Sequence, residues 1–397
     1  MKAGGDAREA IAVAGAGVAG LSAAIALKLA GFEVTVFERE EVLGEVGAGI
    51  QVGPNATRIL EGWDLDLLGS SVEPESIELR NAVSGSLLKT IPLRRAARVR
   101  YGAPYVTLMR ADLQKALLTR AEELEIPIRS GAPISRAHDT GEGVTFDAGG
   151  TAGAAAALIG ADGIKSSVRA LAGFHRRRYS TQSVAWRAML PLAAIPAPLR
   201  SVIAVWMAPG AHLVHYPVAG GASVNAVLVI HDIFQSDSAD HSGSVLPYLL
   251  GRLDGWAALP RSAIASTEAW LHWRMFGIEK WSGGDGRIQC IGDAWHAMLP
   301  HLGSGAVMAI EDGAALAESL SAAQGGIAEG LKLFREKRGR RVWQVARASA
   351  QMGRVYHCPQ PFDIVRDLAI RVSSGSKLLR WNDWLYGVQN EGLPGKS

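Results

Sequence analysis

The chain has 397 residues, of which 48% are hydrophobic and 20% charged, a balance typical of a folded protein rather than a disordered one. Because one core organises roughly 250–300 residues, we expect two domains or one domain with a large insertion. The net charge is only +3, and the basic runs at 176–178 and 335–341 contain no interleaved aromatic residues, so no nucleic-acid partner is expected.

Cysteine content and hydropathy indicate the compartment. Cys290 and Cys358 show no paired spacing, which favours a reducing environment, and we expect a cytoplasmic location. The apolar stretch at 10–30 is the one segment long enough to be mistaken for a signal peptide or a membrane span. Glycines interrupt it, and Asp6 and Glu9 precede it. This pattern favours a strand followed by a helix, so no membrane partner is expected.

The first motif lies between a strand predicted at 10–14 and a helix predicted at 21–30. It reads Gly15-Ala16-Gly17-Val18-Ala19-Gly20, and a second strand at 33–37 ends at Glu38, with Arg39 next. A strand, G-x-G-x-x-G, a helix, a strand and then an acidic residue is the order of a dinucleotide-binding unit. The glycines permit a tight turn and the close approach of a pyrophosphate, and the Glu38 carboxylate would accept a hydrogen bond from a ribose hydroxyl. The alternative is a packing turn without a ligand.

The middle of the chain begins with a glycine-interrupted loop that contains Gln51, a candidate pocket residue, and leads into a helix that we expect Asn55 to cap. A hairpin at 77–93 and a strand at 106–109 follow. Arg110 then opens a helix that runs to residue 124. A cation at a helix start is unfavourable unless it meets an anion, and an exposed pair with Asp112 is the alternative.

Further along, strands at 143–146 and 154–159 flank a Gly-Gly turn, and the second ends in GADGIKSSVR, which contains Asp162. From residue 183 to 230 the pattern changes to longer alternating strands, which predicts a second, sheet-rich domain. A long basic helix at 331–349 and a helical tail with Trp381, Trp384 and Tyr386 complete the chain.

The stretch at 290–313 combines a buried strand, a Gly-Asp turn with Asp293, a loop containing Pro300 and a glycine turn, Gly303-Ser304-Gly305. A helix is predicted to open at Ala306. Free amides at a helix start carry partial positive charge and stabilise an anion. The stretch therefore predicts a site for a polar or anionic group.

These three motifs together resemble the fingerprints of the single-component flavoprotein aromatic hydroxylases, the family of para-hydroxybenzoate hydroxylase, over about residues 10–390. The strings LGEVGAGIQVGPNA, RYGAPYVTLMRADL and HLVHYPV are similar to the branch that contains salicylate hydroxylase, 3-hydroxybenzoate 6-hydroxylase and 6-hydroxynicotinate 3-monooxygenase. The resemblance implies an α/β fold with a Rossmann-like FAD-binding domain, an inserted sheet-rich substrate domain and a helical C-terminal region. We expect the FAD-binding domain at 1–75, 102–180 and 281–340, the substrate domain at 76–101 and 181–280, and the C-terminal helices at 341–397.

The resemblance also implies the chemistry: FAD, NADH or NADPH as a transient electron donor, and O2. The substrate would be a small phenolic or hydroxypyridine carboxylic acid, hydroxylated through a flavin C4a-hydroperoxide with or without loss of the carboxylate. Glu38 would bind the adenosine ribose, Asp293 the ribityl chain, and the amides at 303–306 the flavin ring. The residues expected at the cofactor are Gly15, Gly17, Val18, Ala19, Gly20, Glu38, Arg39, Gln51, Arg110, Asp162, Asp293, Pro300, Gly303, Ser304, Gly305 and Ala306.

A catalytic base is expected on the strand that contains HLVHY. Period two places His212 and Tyr216 on one face and His215 on the other. The family's base histidine matches His212, so we expect His212, with a pKa near neutral, to deprotonate the substrate hydroxyl while Tyr216 orients it. A structural histidine is the alternative. The residues expected at the substrate are Gln51, His212, Tyr216, Pro300 and Ser304.

Some residues depart from the family pattern. Ser304 stands where the branch usually has glutamine, Trp295 replaces a small residue, and Met109 replaces a common histidine. We therefore expect Trp295 and Ser304 to shape this protein's own substrate pocket. His296 and His301 lack further ligands at metal-binding spacing, so no metal site is expected.

Two alternative functions remain open from the sequence. The chain could be a flavoprotein dehydrogenase or reductase that consumes no oxygen. It could also be a catalytically idle FAD-binding protein, if Trp295 and Ser304 close the pocket. The assembly is expected to be a monomer or a homodimer.

Overall fold

A computed structural model describes residues 10–44, 48–65, 67, 69–174, 176–231, 245–281 and 283–387. Residues 45–47 of the glycine-interrupted loop and the side chains of the basic run at 176–178 lie outside this description. Among the described residues, no helix is both long and apolar enough to cross a membrane.

Strands and helices alternate over the first half of the chain, and helices dominate its end. The strands are β1 (Ala10–Ala14), β2 (Glu33–Phe37), β3 (Gly49–Val52), β4 (Ser76–Asn81), β5 (Leu87–Pro92), β6 (Val106–Met109), β7 (Ile128–Arg129), β8 (Ile134–Asp139), β9 (Val144–Ala148), β10 (Thr151–Ala155), β11 (Ala157–Gly160), β12 (Arg176–Pro191), β13 (Ile203–Ala208), β14 (Ala211–Val218), β15 (Ser223–His231), β16 (Leu271–Trp281), β17 (Gly284–Asp285) and β18 (Ile288–Cys290). The helices are α1 (Val18–Leu29), α2 (Pro54–Gly62), α3 (Arg94–Tyr101), α4 (Arg110–Glu123), α5 (Ser167–Leu171), α6 (Leu246–Arg252), α7 (Ala258–Ala265), α8 (Asp293–His296), α9 (Gly305–Ala322), α10 (Ile327–Tyr356), α11 (Phe362–Val372), α12 (Gly375–Arg380) and α13 (Asp383–Tyr386).

A six-stranded sheet, which includes the two strands of the predicted dinucleotide-binding unit, has the order β17-β18-β11-β1-β2-β7. All its pairs are parallel except β17 with β18. The central strand β1 is almost fully buried because helices cover both faces of a parallel sheet. Helix α9 packs closely on α1, and a Cβ at Gly313 would lie 2.7 Å from the carbonyl of Ser22. The carboxyl ends of β1, β2 and β11 line one cavity together with the start of α9.

A seven-stranded sheet forms the second part, in the order β16-β12-β15-β14-β13-β4-β5. Its pairs are antiparallel except β13 with β4. One face packs its apolar residues, including Trp186, Trp206 and Leu213, against α6 and α7. The opposite face carries His212 and Tyr216, as the alternation in the sequence predicted.

Two local predictions were wrong. The strand expected at 154–159 is split, because β10 pairs with β9 in a three-stranded antiparallel sheet while β11 enters the six-stranded sheet. An unbroken apolar run does not reveal such a change of sheet. Asn55 does not cap α2, which begins at Pro54 after Gly53 because proline is preset for the first helical position. The Asn55 side chain instead donates from Nδ2 to Glu311 Oε1 at 2.6 Å in the core.

The C-terminal helices link the two sheets. Helix α10 is longer than predicted, with 30 residues, and its end at Tyr356 reaches the cavity-facing side of the large sheet. Helix α12 contacts β5, and α13 contacts α2. Trp381, Trp384 and Tyr386 of this tail line the same cavity as His212.

Candidate active site

Two cavities meet at the start of α9. One, of about 470 Å³, lies over the glycine-rich turn, and the other, of about 690 Å³, lies between the large sheet and the C-terminal helices. Four residues line both of them: Arg110, Asp293, Gly305 and Ala306. A ligand that filled the first cavity would therefore reach the second through this junction.

The glycine-rich turn provides backbone for close contact with a ligand. Gly15 has φ +106°, and a Cβ there would lie 2.6 Å from the carbonyl oxygen of Ala161. Gly17 differs, because a Cβ on it would meet no atom within 4 Å, and it lines the cavity. Any side chain at Gly17 would occupy this open space. Val18 and Ala19, in the first turn of α1, line the same cavity, whereas Gly20 packs tightly against Gly15.

Glu38 closes one end of this cavity. Its Oε2 accepts a hydrogen bond from the Ala16 amide at 2.7 Å, and its Oε1 accepts from the Glu40 amide at 3.0 Å. These contacts fix the carboxylate at the end of β2, where a ribose is expected. Arg39 also lines the cavity, and its Nε donates to Glu40 at 2.9 Å.

Asp162 lies on the opposite wall, at the end of β11. Its Oδ2 accepts from the Ser167 amide at 2.7 Å, the Ser167 hydroxyl at 2.8 Å and the Val168 amide at 3.1 Å, which holds the start of α5. Its other oxygen, Oδ1, is buried and has no hydrogen-bond partner in the described part of the chain. A hydroxyl or amide donor on a bound ligand would satisfy it.

A buried ionic cluster supports the Gly-Asp turn. Asp312 Oδ2 accepts from the Gly292 amide at 2.9 Å and lies 2.6 Å from His296 Nε2, while Arg338 Nε donates to Oδ1 at 2.8 Å. Burial opposes ionisation of Asp312, but His296 and Arg338 outweigh it and lower the pKa of its carboxyl. The cluster leaves the neighbouring Asp293 exposed on the walls of both cavities.

The start of α9 presents its first amides to both cavities through Gly305 and Ala306. Gly303 has φ +62°, which reverses the chain before the helix, and it lines the larger cavity. The Ser304 side chain is buried and donates to the Leu302 carbonyl at 3.1 Å. Its hydroxyl is thereby turned back onto the backbone.

Trp295 and Ser304, which were expected to shape the substrate pocket, line neither of these two cavities. Trp295 is packed in the core around the six-stranded sheet, with its ring 5.8 Å from that of Phe334. The single-turn helix α8 directs this side chain inward, and no local pattern in the sequence reveals that orientation.

The larger cavity contains the expected catalytic pair. Most of its wall is aliphatic or aromatic, as is usual for a site that binds a small organic ligand. His212 and Tyr216 lie on it together with Gln51 and Pro300. The polar or titratable residues of the wall are Gln51, Tyr105, Arg110, Arg187, His212, Tyr216, Asp293, His301, Gln351, Tyr356, Asn382 and Tyr386.

His212 is buried among other aromatic rings. Its Nδ1 lies 2.6 Å from Nε2 of His357, and its ring centroid lies 5.3 Å from that of His301 and 4.9 Å from that of Tyr356. Burial, and then His357 and His301, lower its pKa well below the usual value. The expectation of a pKa near neutral was therefore wrong, because the sequence does not show the burial or the neighbouring imidazoles. His212 is an uncharged imidazole at neutral pH.

Tyr216 belongs to a polar group at the other end of the cavity. The hydroxyl of Tyr105 donates to Gln51 Oε1 at 2.7 Å, and Gln51 is close enough to Tyr216 to affect its pKa. Burial raises the pKa of Tyr216, against a smaller lowering by Arg187 and Gln51. Tyr216 therefore keeps its proton and can donate a hydrogen bond to a ligand.

Sequence reasoning missed Tyr105, Arg187, His301 and His357. Arg187 could have been found, because it interrupts an otherwise apolar strand in the segment Ala185 to Leu190. His301 was considered only as a metal ligand. His357 gave no signal, since it lies 145 residues from His212 in the chain.

The chain belongs to the FAD binding domain family, whose model matches residues 8–349. This confirms the resemblance drawn from the sequence and the expectation of FAD. The smaller cavity fits FAD, since it offers the open space at Gly17, the fixed carboxylate of Glu38 and the unpaired oxygen of Asp162.

Individual relatives narrow the class. The chain is 32% identical over 386 residues to 3-hydroxybenzoate 6-hydroxylase of Polaromonas naphthalenivorans (strain CJ2), with 95% of each chain covered. It is 34% identical over 396 residues to 3-amino-4-hydroxybenzoate 2-monooxygenase PtnB3 of Streptomyces platensis, with 96% of each covered. Its fold matches that of Klebsiella pneumoniae HpxO complexed with FAD and uric acid, with a TM-score of 0.83 at 22% identity over 95% of this chain and 97% of the other.

Proposed function

We propose that this protein is an NAD(P)H-dependent FAD monooxygenase that hydroxylates a small phenolic or hydroxypyridine carboxylic acid. The observation that carries the proposal is the junction at Asp293, Gly305 and Ala306, where a dinucleotide cleft opens into an apolar cavity containing a histidine and an arginine. Full-length relatives named as hydroxylases of hydroxybenzoates support the substrate class.

Residues of the smaller cavity would hold FAD. The backbone at 15–20 would receive the pyrophosphate, Glu38 the ribose, and Arg110 and Asp293 the chain that crosses the junction. When bound, FAD accepts electrons from the nicotinamide and activates O2 for transfer of one oxygen atom. Because α9 begins at the junction, the amides at 303–306 would stabilise negative charge on the ring, by roughly 0.3–2 kcal/mol from the helix dipole.

His212 and Tyr216 would act on the substrate hydroxyl. An uncharged imidazole on an apolar wall can accept the hydroxyl proton, which makes the aromatic ring more nucleophilic. Tyr216, kept protonated by burial, would donate a hydrogen bond that orients the ring, with Gln51 and Tyr105 holding Tyr216 in turn. Pro300 would pack at the border between substrate and cofactor.

Arg187 would bind the substrate carboxylate. In the large sheet, Val227 pairs with both Arg187 on β12 and Val214 on β14, so Arg187 lies two strands from the strand that carries His212 and Tyr216. Two strand spacings are about 10 Å, and the Arg187 guanidinium lies over the Trp273 ring of β16, 4.9 Å from its centroid. The space between this guanidinium and the strand that carries His212 and Tyr216 would hold a single substituted ring with a hydroxyl on one side and a carboxylate on the other.

The idle-protein alternative depended on Trp295 and Ser304 closing the pocket. Neither lines it, and the cavity of about 690 Å³ is large enough for a monocyclic acid. A dehydrogenase or reductase that consumes no oxygen is separated from a monooxygenase by experiment.

The test is a screen of hydroxybenzoates and hydroxypyridine carboxylates with the purified FAD-loaded protein. We expect at least one acid to stimulate NADH or NADPH oxidation with matching oxygen uptake and a product that gains one oxygen atom. His212→Ala should reduce hydroxylation by about 10²–10⁴-fold while FAD stays bound. Substrate-dependent nicotinamide oxidation without oxygen uptake would contradict the proposal, and unchanged turnover in His212→Ala would remove the role of His212.

We further propose a cytoplasmic protein without a nucleic-acid or membrane partner, either monomeric or homodimeric, with domain limits near residues 75, 101, 180, 280 and 340. Size-exclusion chromatography with light scattering tests the assembly.

A further inference from the structure

A second histidine contacts His212 on the side away from the larger cavity. His357, just after α10, places Nε2 2.6 Å from Nδ1 of His212, and it is absent from the wall of the substrate cavity. His212 is buried, with 2% of its surface exposed, whereas His357 is partly exposed. The two rings therefore connect the cavity wall to the protein surface.

The short distance constrains the protons. Of two neutral imidazole nitrogens in hydrogen-bond contact, one must donate and the other accept. If Nδ1 of His212 donates, its Nε2 is bare and can take a proton from a ligand in the cavity. If Nε2 of His357 donates instead, Nε2 of uncharged His212 carries a hydrogen and cannot take another. The tautomer of His357 thus decides whether His212 can act as a base.

The surroundings oppose a lasting positive charge on the pair. His301, from the turn before α9, and Tyr356, from α10, face the ring of His212. His301, His231 of β15 and Arg366 of α11 act on His357. Burial, with His357 and His301, lowers the pKa of His212, and burial, with His301, His231 and Arg366, lowers the pKa of His357. An imidazolium formed at His212 is therefore unstable unless its proton moves on.

The backbone fixes the position of His357. The Gly210 amide, in the turn that leads into β14, donates to the His357 carbonyl at 3.3 Å, and the His357 amide donates to the Gly353 carbonyl at 3.0 Å. The end of α10 is therefore tied to the hairpin that carries His212. This attachment keeps the two rings in contact.

We propose that His357 is a positioning residue that sets the tautomer of His212 and passes the substrate's hydroxyl proton to solvent. The inference rests on the proposed function. The substrate O–H bond breaks as an N–H bond forms at Nε2 of His212. The Nδ1–H bond of His212 then breaks as one forms at Nε2 of His357, which releases its other ring proton to water. No electrons are exchanged, and the reverse path returns a proton to the hydroxylated product.

The experiment measures deprotonation apart from hydroxylation. The probe is 3-hydroxy-4-nitrobenzoate, whose phenolate is coloured, mixed with the oxidised holoenzyme without NADH in a stopped-flow instrument across a pH series. The variants are His357→Gln, His357→Ala with and without added imidazoles, and His231→Gln as a control that removes a nearby imidazole without touching His212.

We expect His357→Gln to bind the probe with a Kd within about 3-fold of wild type but to form the phenolate about 10–100-fold more slowly. In His357→Ala, added imidazoles should restore the rate, increasingly with their basicity. His231→Gln should stay within about 2-fold of wild type, since exposed charges act weakly.

Unchanged phenolate formation in His357→Gln would overturn the inference. Equal losses of affinity and rate, without rescue of His357→Ala by imidazoles, would indicate a purely structural role and overturn it as well. If either result is obtained while the wild-type protein hydroxylates an aromatic acid, the proposed function stands and only the proton transfer through His357 is overturned. If wild type hydroxylates no acid and leaves the probe protonated, both proposals are overturned.

Discussion

At the scale of single residues, Arg187 carries a permanent positive charge on a cavity wall that is mainly apolar. A charge-assisted hydrogen bond contributes about 1.5–3 kcal/mol, so Arg187→Met should raise KM for a hydroxybenzoate by about 10–100-fold and change kcat less. Initial rates over a substrate series measure this split. The KM of Arg187→Lys should lie between those of wild type and Arg187→Met, because lysine keeps the positive charge but cannot form two parallel hydrogen bonds to a carboxylate.

The matched control for Arg187 is a substrate that lacks the carboxylate. KM for a simple phenol should be similar in wild type and Arg187→Met. If KM for the phenol rises as much as KM for the acid, the substitution has distorted the cavity and the assignment of Arg187 to the carboxylate is wrong.

His215, on the opposite face of β14, has a different role from His212. It is fully buried against Trp206, and neither of its ring nitrogens has a partner among the described residues. Burial, with a smaller effect of Arg80, lowers its pKa to about 4. An unpaired buried polar group costs about 1–3 kcal/mol, so His215→Phe should leave stability at neutral pH unchanged or raise it by about 1 kcal/mol.

Urea denaturation of His215→Phe at neutral pH checks this, with His138→Gln, an exposed histidine in another sheet, as the control. Hydroxylation should persist in both variants. A loss of more than about 2 kcal/mol in His215→Phe would show that the imidazole makes a hydrogen bond that stabilises the fold.

At the scale of elements, α9 joins the cofactor cavity to the core. Its first residues line the junction of the two cavities, and Glu311 and Asp312 in its middle meet Arg338 and Arg341 of α10. Glu311 is further bonded by Asn55 of α2. Three helices are thereby held in one arrangement by buried charges that satisfy one another.

Asp312→Asn tests this arrangement. It removes a negative charge beside Arg338 and His296 and weakens the acceptor for the Gly292 amide. Breaking one side of a buried ion pair costs about 3–5 kcal/mol, and here Arg338 and Arg341 would be left to share the single carboxylate of Glu311. We expect that loss in chemical denaturation, together with weaker FAD binding through the displaced turn at Asp293.

Glu318→Gln is the control on the same helix. Glu318 pairs with Lys337 at 2.7 Å, and that lysine side chain is half exposed. An exposed pair contributes about 0–1 kcal/mol, so this variant should be nearly as stable as wild type. If Asp312→Asn and Glu318→Gln lose the same free energy of unfolding, the burial of Asp312 does not make its ion pairs more important for stability.

At the scale of the whole molecule, buried histidines set the pH dependence of stability. Burial is the main cause that lowers the pKa of His215 and His301 to about 4 and that of His357 to about 3, and the pKa of His212 is also lowered. The unfolded chain binds protons near pH 6.5 at these positions, whereas the folded chain does not. Stability is therefore fully present above about pH 6.5 and falls as the pH drops through the interval between the unfolded and folded pKa values.

Below about pH 6.5, each such histidine lowers the free energy of unfolding by up to about 1.4 kcal/mol per pH unit. The lowered pKa values of Glu311 and Asp312 add a further loss only at lower pH, since their contribution is present above the unfolded values of 4.5 and 3.8. Urea denaturation at about pH 7.5, 6.5 and 5.5 should show a plateau and then a steep decline. A free energy of unfolding that stays constant down to pH 5.5 would contradict this.

Local features of the site were predicted from the sequence because short-range geometry determines them. A glycine turn after a strand presents free backbone whatever the rest of the fold, and Glu38 follows the next strand in register with it. Alternation along β14 placed His212 and Tyr216 on one face for the same reason. The class of cofactor and the side of the sheet that faces the larger cavity were therefore predictable from the sequence.

The sequence by itself thus determined a dinucleotide-binding unit, a second sheet and a histidine facing a cavity, since each depends on residues within a few turns or strands. Only the tertiary structure decided the chemistry of that histidine. His357 reaches it from 145 residues away, and Trp295 turns into the core instead of the pocket. Contacts between distant segments depend on how helices and sheets pack, and that packing leaves no periodic signal in the chain.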